Sequence, residues 1–198
     1  MATKTTKLDS VNIILSNIGQ APVTALDSGN PLVETAELVL DEINRTVQAE
    51  GWVFNTEYCY PLLPDQNNEI LIPPNVLSMD LTPYTNNNVV QRQGKLYDRT
   101  NHTFKFQLQL ELDIVWLEDF TDLPEAFMSY ITIRAANVFA GRTVGSAEAV
   151  RFGQQEEIQA RAGALEYDTQ QGDYSMFSDQ NNVTTYQSYR PVQALYRF

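Results

Sequence analysis

Between Asp122 and Tyr174 the sequence carries two helical signatures back to back, and this pair restricts the fold more than any other stretch. Asp122-Leu123-Pro124-Glu125 reads as a helix start with a proline in the first turn. Phe127, Ile131, Ala135 and Val138 follow at steps of four, four and three, with Tyr130 and Phe139 widening the stripe. Gly141 and Gly145 bracket a break, Ser146 is placed to cap a second helix, and Ile158, Ala162 and Leu165 share a face of it. Gly172 is the stop. So short a connection predicts an antiparallel helical hairpin, on which the rest of the chain must pack or from which it must hang.

Two more helices are predicted upstream. Asp9 or Ser10 caps the first, with Val11, Ile14, Leu15 and Ile18 on one face, and Gly19 followed by Pro22 ends it. Asn30-Pro31 opens the second, with the stripe Leu32, Ala36, Val39, Leu40, Ile43 and Val47, and Gly51 closes it. Glu42 and Arg45 face outward on this helix at pairing distance.

At Trp52 the apolar period changes to two. Trp52-Val53-Phe54, Tyr58-Cys59-Tyr60, Ile70-Leu71-Ile72 and Val76-Leu77-Ser78-Met79 read as short strands between turn clusters rich in Pro, Asp and Asn. Val89-Val90-Gln91 and Lys95-Leu96-Tyr97 flank a Gln93-Gly94 hairpin. Phe104, Phe106, Leu108, Leu110 and Leu112 alternate strictly with polar residues, which predicts a strand with one buried face, continued by 113–117. The fold class expected is α+β: a four-helix bundle (1–51 and 119–172) with a mainly antiparallel sheet inserted at 52–118.

Residues 173–198 differ from the rest. They hold Tyr174, Phe177, Tyr186, Tyr189, Tyr196 and Phe198 among Gln, Asn, Ser and Thr, without sustained periodicity. Disordered tails are poor in aromatics. Two readings stand: an extended C-terminal arm that buries its rings on another chain, or a strap on its own domain. Under the first reading the anchors are Tyr174, Tyr186, Tyr189, Arg190, Tyr196, Arg197 and Phe198, since tyrosine and arginine dominate interface hot spots.

Composition excludes several functions. In 198 residues the net charge is -12, with a pI near 4.4, so no basic face drives nucleic-acid binding. An apolar share of 43% is enough to fill a core. Cys59 is alone, which removes internal disulfides and cysteine zinc clusters. Residues 1–20 lack a signal-peptide apolar run, and no stretch approaches the ~18 apolar residues of a membrane helix. A soluble protein made in a cytosol is expected.

No residue set carries catalysis. His102, the only histidine, sits in a turn beside Asn101 and Thr103 with nothing to orient it. Cys59 reads as a small buried hydrophobe in a strand. Asp113, Glu118, Asp119, Asp122 and Glu125 offer paired carboxylates in principle, but Asp122 and Glu125 suit a helix N-terminus and the others a loop. Asp65, Asn67 and Glu69 alternate oxygens without the glycine or distant glutamate of a calcium loop. No catalytic residue, cofactor or metal site is expected.

Seven segments occur in an order and spacing that are fairly specific together: Ile18-Gly19-Gln20-Ala21-Pro22-Val23, Ile43-Asn44-Arg45, Gly51-Trp52-Val53-Phe54-Asn55, Leu62-Leu63-Pro64-Asp65, Tyr97-Asp98-Arg99-Thr100, Leu123-Pro124-Glu125 and Gly172-Asp173-Tyr174. Through them nearly the whole chain resembles the tail tubular protein A family of T7-like short-tailed phages. The resemblance implies a virion tail protein without catalytic residues, assembled as a dodecameric adaptor ring. One side would meet the portal protein and the other the tail nozzle protein, with tail fibres near the latter. Duplex DNA would pass through a central channel without specific binding, and no membrane is involved. The acidic residues of the fourth helix, Glu148, Glu156, Glu157, Glu166 and Asp168 against Arg151 and Arg161, are candidates for the channel wall or for a solubilising outer wall. The alternatives are a monomeric carbohydrate- or peptide-binding module using the sheet and exposed tyrosines and, weaker, a hydrolase using the acidic run, whose activity alanine at Glu118 and Asp119 would abolish.

Overall fold

The computed structural model describes residues 4–27, 29–81, 88–145 and 147–172, and the fold is α+β. Among these residues there are four α-helices and five strands: α1 (Lys7–Asn17), α2 (Pro31–Gln48), β1 (Thr56–Leu62), β2 (Val76–Leu81), β3 (Val89–Arg92), β4 (Lys95–Asp98), β5 (Leu110–Trp116), α3 (Glu125–Thr143) and α4 (Ala147–Gly172).

Helix α1 starts before the expected Asp9 or Ser10. Thr6 is its N-cap: the Thr6 hydroxyl accepts from the Asp9 N–H, and the Asp9 carboxylate accepts from the Thr6 N–H. This reciprocal box satisfies two helix-end donors, so the start moves back to Lys7. The Thr6 hydroxyl also holds the Asp9 carboxyl below the usual carboxylate range. Gly19 ends the helix region at φ +75°, a conformation that L side chains rarely adopt. Helix α2 begins as its sequence predicts, with the Asn30 side chain accepting from the Leu32 N–H at 3.0 Å and Pro31 at the first position. Glu42 does not pair with Arg45. It takes both terminal nitrogens of Arg142 on α3, at 2.7 and 2.9 Å, because a two-pronged guanidinium contact outcompetes a single pair one turn away.

Helix α3 is the centre of the helical half, with α1, α2 and α4 all packed on it. That is why it buries Phe127, Met128, Tyr130, Ile131, Ala135, Ala136 and Phe139, more than a single stripe. Pro124 stands at the N-cap, one position before the first helical turn. The helix runs through Gly141 to Thr143, and the chain breaks at Gly145 with φ +66°. The proposed cap Ser146 lies outside the described residues. Trp52, Phe54 and Tyr167 surround Phe127, with ring centroids 4.9, 4.6 and 6.2 Å from it.

The sheet region departs from a simple meander. Every strand pairing is antiparallel, but β5 lies between β1 and β2 in one sheet, while β3 and β4 form a separate hairpin. Gln93 and Gly94 turn that hairpin with positive φ at both positions, as a two-residue loop requires. Trp52-Val53-Phe54 is not a strand. The Asn55 side chain accepts from the Trp52 N–H at 2.9 Å, which tightens Val53–Asn55 into a 3-10 turn. Ile70-Leu71-Ile72 makes only an isolated bridge, Leu71 to Lys95.

The strongest alternation fails over its first half. The ladder between β1 and β5 ends at Leu62 opposite Leu110, and beyond it the chain turns away at Pro64. Residues 104–109 therefore have no partner strand, only a bridge from Lys105 to Glu69. Phe106, Leu110 and Leu112 are buried, whereas Leu108 is 77% exposed. Cys59 is half-buried rather than core. It sits at a β1 bulge with φ +55°, its N–H donating to Asp113 Oδ1 at 2.9 Å.

Two apolar clusters result. One joins the helices with Trp52 and Phe120; the other gathers Leu62, Ile70, Leu96, Phe106, Leu110, Leu112 and Ile114 around the strands. Buried amides tie them together. Gln48 on α2 donates to Glu118 O and accepts from the Glu118 N–H, at 2.9 and 2.8 Å. Asn55 donates to Gln48 O and Trp116 O, at 3.0 and 2.8 Å. Both chain crossings between the halves are thus fastened to the end of α2 by side-chain amides whose own polar atoms are satisfied.

Candidate assembly surfaces

The anchors proposed for the arm, Tyr174, Tyr186, Tyr189, Arg190, Tyr196, Arg197 and Phe198, lie outside the described residues. The other sequence candidates can be placed. His102 is exposed in a turn at φ +53°. The acidic run is not gathered into one site. Asp113 serves Cys59, Glu125 accepts from the Thr5 N–H at 3.2 Å, and Asp119 and Asp122 are exposed at either end of the Phe120–Asp122 3-10 turn. Asp65 accepts from the Asn67 and Glu69 N–H groups at 2.8 Å each, and Glu69 pairs with Lys95, so this trio closes a loop. Among the described residues no three His, Cys, Asp or Glu side chains are grouped to hold a metal.

The sheet aromatics are largely engaged internally. Tyr60 meets Trp116 at 5.3 Å, and Tyr97 meets Phe104 at 4.8 Å with the Arg92 guanidinium 4.2 Å above its ring. The motif residue Asp98 is buried and accepts from Thr100 N–H, Asn101 N–H and the Asn101 amide. The Asn101 side chain is the main reason that its carboxyl is held below the usual range. Tyr97 to Thr100 is thus the end of β4 and the start of the turn that Asp98 caps, a structural element.

Helix α4 is held by polar contacts and small residues. Tyr130 OH accepts from Arg134 and from Arg161, both at 2.9 Å. Arg161 grips Glu50 through two nitrogens at 3.1 and 2.8 Å, and Arg134 lies 3.7 Å from Glu157. The Glu50 carboxylate raises the Arg161 pKa further, fixing its charge. Asp168 accepts from the Val53 N–H at 2.8 Å. Asn137 donates to Gly153 O at 2.8 Å and Glu157 at 3.1 Å. At Gly153 the approach is closest: an added Cβ would sit 1.9 Å from Asn137 Oδ1. Gly153→Ala is therefore expected to cost about 1–3 kcal/mol, since Asn137 must leave and its hydrogen bonds with it. Thermal melts measure the loss. If the clash is the cause, Asn137→Ala added to the same chain recovers part of it; a fully additive double variant would show another origin.

This arrangement reverses the expected orientation of α4. Ala164 is buried and Gly153, Glu157, Ala160 and Tyr167 are half-buried, so these form the inner face. Ile158, Ala162 and Leu165 point to solvent, with Ile158 69% and Leu165 45% exposed. Three of the charges suggested for a channel wall, Glu157, Arg161 and Asp168, are engaged inward, while Glu156 and Glu166 remain exposed. The helix thus has two apolar seams, and the one that carries Ile158 and Leu165 is unburied.

The profile of a family described as Tail tubular protein matches residues 8–174, a span that includes every strand and nearly all of the four helices. The chain belongs to the tail tubular protein family. A relative described as Tail tubular protein A, from Klebsiella phage KP34, is 27% identical over 152 residues, which is 76% of this chain and 81% of that protein. As a tail tubular protein the chain is a structural component of a phage tail, located in the virion. Among its described residues no helix is long and apolar enough to cross a membrane. The family match takes in both apolar clusters and α4, reaches Tyr174, and stops before the other arm anchors. Sequence reading missed the inner face of this tail tubular protein's α4. The signal was there, in Gly153, Ala160 and Ala164 spaced for close helix contact, but small residues register weakly in an apolar count.

Proposed function

We propose that the chain forms the adaptor ring of a short phage tail, a homo-oligomer of about twelve copies in the manner of the resembling family. In this reading it joins the portal protein to the tail nozzle protein, with tail fibres docking near the nozzle junction. The observation that carries it is the single tail tubular match running through both the helical and the strand-based cluster. A body with two cores, fastened by buried amides, offers one end to each neighbour along a tail axis. Genome passage through the centre favours a wall that does not grip phosphate. Consistent with that, Arg134, Arg142 and Arg161 are each paired with a glutamate, and the chain carries -12 overall.

The C-terminal arm is assigned to the portal, through Tyr174, Tyr186, Tyr189, Arg190, Tyr196, Arg197 and Phe198. Deleting residues 178–198 is expected to leave the melting temperature unchanged and to weaken portal binding by about tenfold or more, the loss of one or more interface hot spots. Binding of the truncated and full chains to isolated portal rings measures this. Equal affinity would remove the arm from the docking interface.

A further inference from the structure

We infer that the outer seam of α4, centred on Ile158, Ala162 and Leu165, is the surface on which a helix of a second copy of this chain packs. The inference rests on the ring reading above and names the contact that builds the ring.

Three observations point to a second copy. First, Ile158, Ala162, Leu165 and Thr169 follow one another at steps of four, three and four. That is the spacing of a coiled-coil seam, whose natural occupant is another helix lying alongside. Second, among the described residues no helix is left to supply it. In the described residues α1 and α2 pack on α3, and the inner face of α4 already meets α3. The sequence after Gly172 shows no sustained helical repeat and is interrupted by Pro191. Third, copies of net charge -12 repel one another, so their contact must run over uncharged surface. On α4 the seam is nearly such a strip: Glu157 and Asp168 face inward, and among residues 153–172 the charges that border it are Glu166 and Arg161, the latter already paired with Glu50. The exposed Leu38 on α2, by contrast, stands alone among Glu34, Asp41 and Glu42.

The test compares the full chain, an Ile158→Glu/Leu165→Glu variant and an Ile158→Met/Leu165→Met variant. Their assembly is followed by sedimentation, alone over a concentration series and with portal rings added. The glutamate variant is expected to melt like the parent, because both side chains are exposed, and to need about tenfold or more protein to assemble, since a carboxylate would have to be buried at the contact. The methionine variant keeps the seam apolar and is expected to assemble as the parent does. Hydroxyl-radical labelling of residues 158 and 165 is expected in unassembled full chain and lost on assembly. Equal assembly by the glutamate variant overturns the seam while leaving the ring reading intact. Protection of Ile158 and Leu165 in monomeric full chain, relieved by deleting 178–198, gives the seam to the chain's own C-terminal segment and equally overturns the inference. A parent that assembles in neither setting sinks the ring reading and the seam together.

Discussion

Phe127→Ala is expected to lower stability by about 3–5 kcal/mol, the range for removing a fully buried phenylalanine. Phe127 is wholly buried in the first turns of α3, and its ring is the common neighbour of Trp52, Phe54 and Tyr167. Those partners come from the 51–55 crossing and from α4, so they cannot all close over the vacancy at once. Domains are commonly stable by about 5–15 kcal/mol, and such a loss removes a large share. Denaturant melts followed by circular dichroism give the number. A loss under about 1.5 kcal/mol would mean that the aromatic cluster can collapse and that α4 is not anchored there.

Leu112→Ala is the counterpart in the strand-based cluster, with an expected loss of about 2–5 kcal/mol. Leu112 is fully buried on β5, the central strand, opposite Tyr60 on β1 and Leu81 on β2. Phe127 and Leu112 belong to different clusters and share no described partner. Their double variant is therefore expected to be additive within about 0.5 kcal/mol. A coupling well above that would show that the buried amides between the halves transmit packing changes, and would argue against treating 52–118 as a separate unit.

The parts of the fold that were legible in the sequence have local causes. Helix α2 carries its own cap in Asn30, its own start in Pro31 and a continuous stripe, so no distant residue had to be known. The Gln93-Gly94 hairpin is local in the same sense. Residues 104–109 failed because alternation records which side chains want burial, not where the neighbouring strand stops. Leu62 is the last residue of β1, and Pro64 then takes the chain away. Helix α4 failed for a related reason. Its apolar residues mark two seams, and only tertiary contacts decide which one faces the fold. Gly153 and Asn137 make that choice through a close approach that hydropathy does not register. Of the candidate surfaces, Ile158, Ala162 and Leu165 are legible as one face but read as the inner side, and the arm anchors fall outside the described residues.

The amide fastening at the end of α2 has a mechanical consequence. A tail component carries load along the tail axis whenever the particle is strained. Two covalent crossings alone would act as a pair of free hinges, and the strand half would tilt before the helices felt any force. Here Gln48 grips the returning crossing at Glu118 through both its donor and its acceptor, while Asn55 ties the outgoing crossing to the same helix end and to Trp116. A displacement of either crossing is resisted by these bonds to the end of α2. The torque is delivered to α2 and, through its packing on α3, to the helical half as a whole.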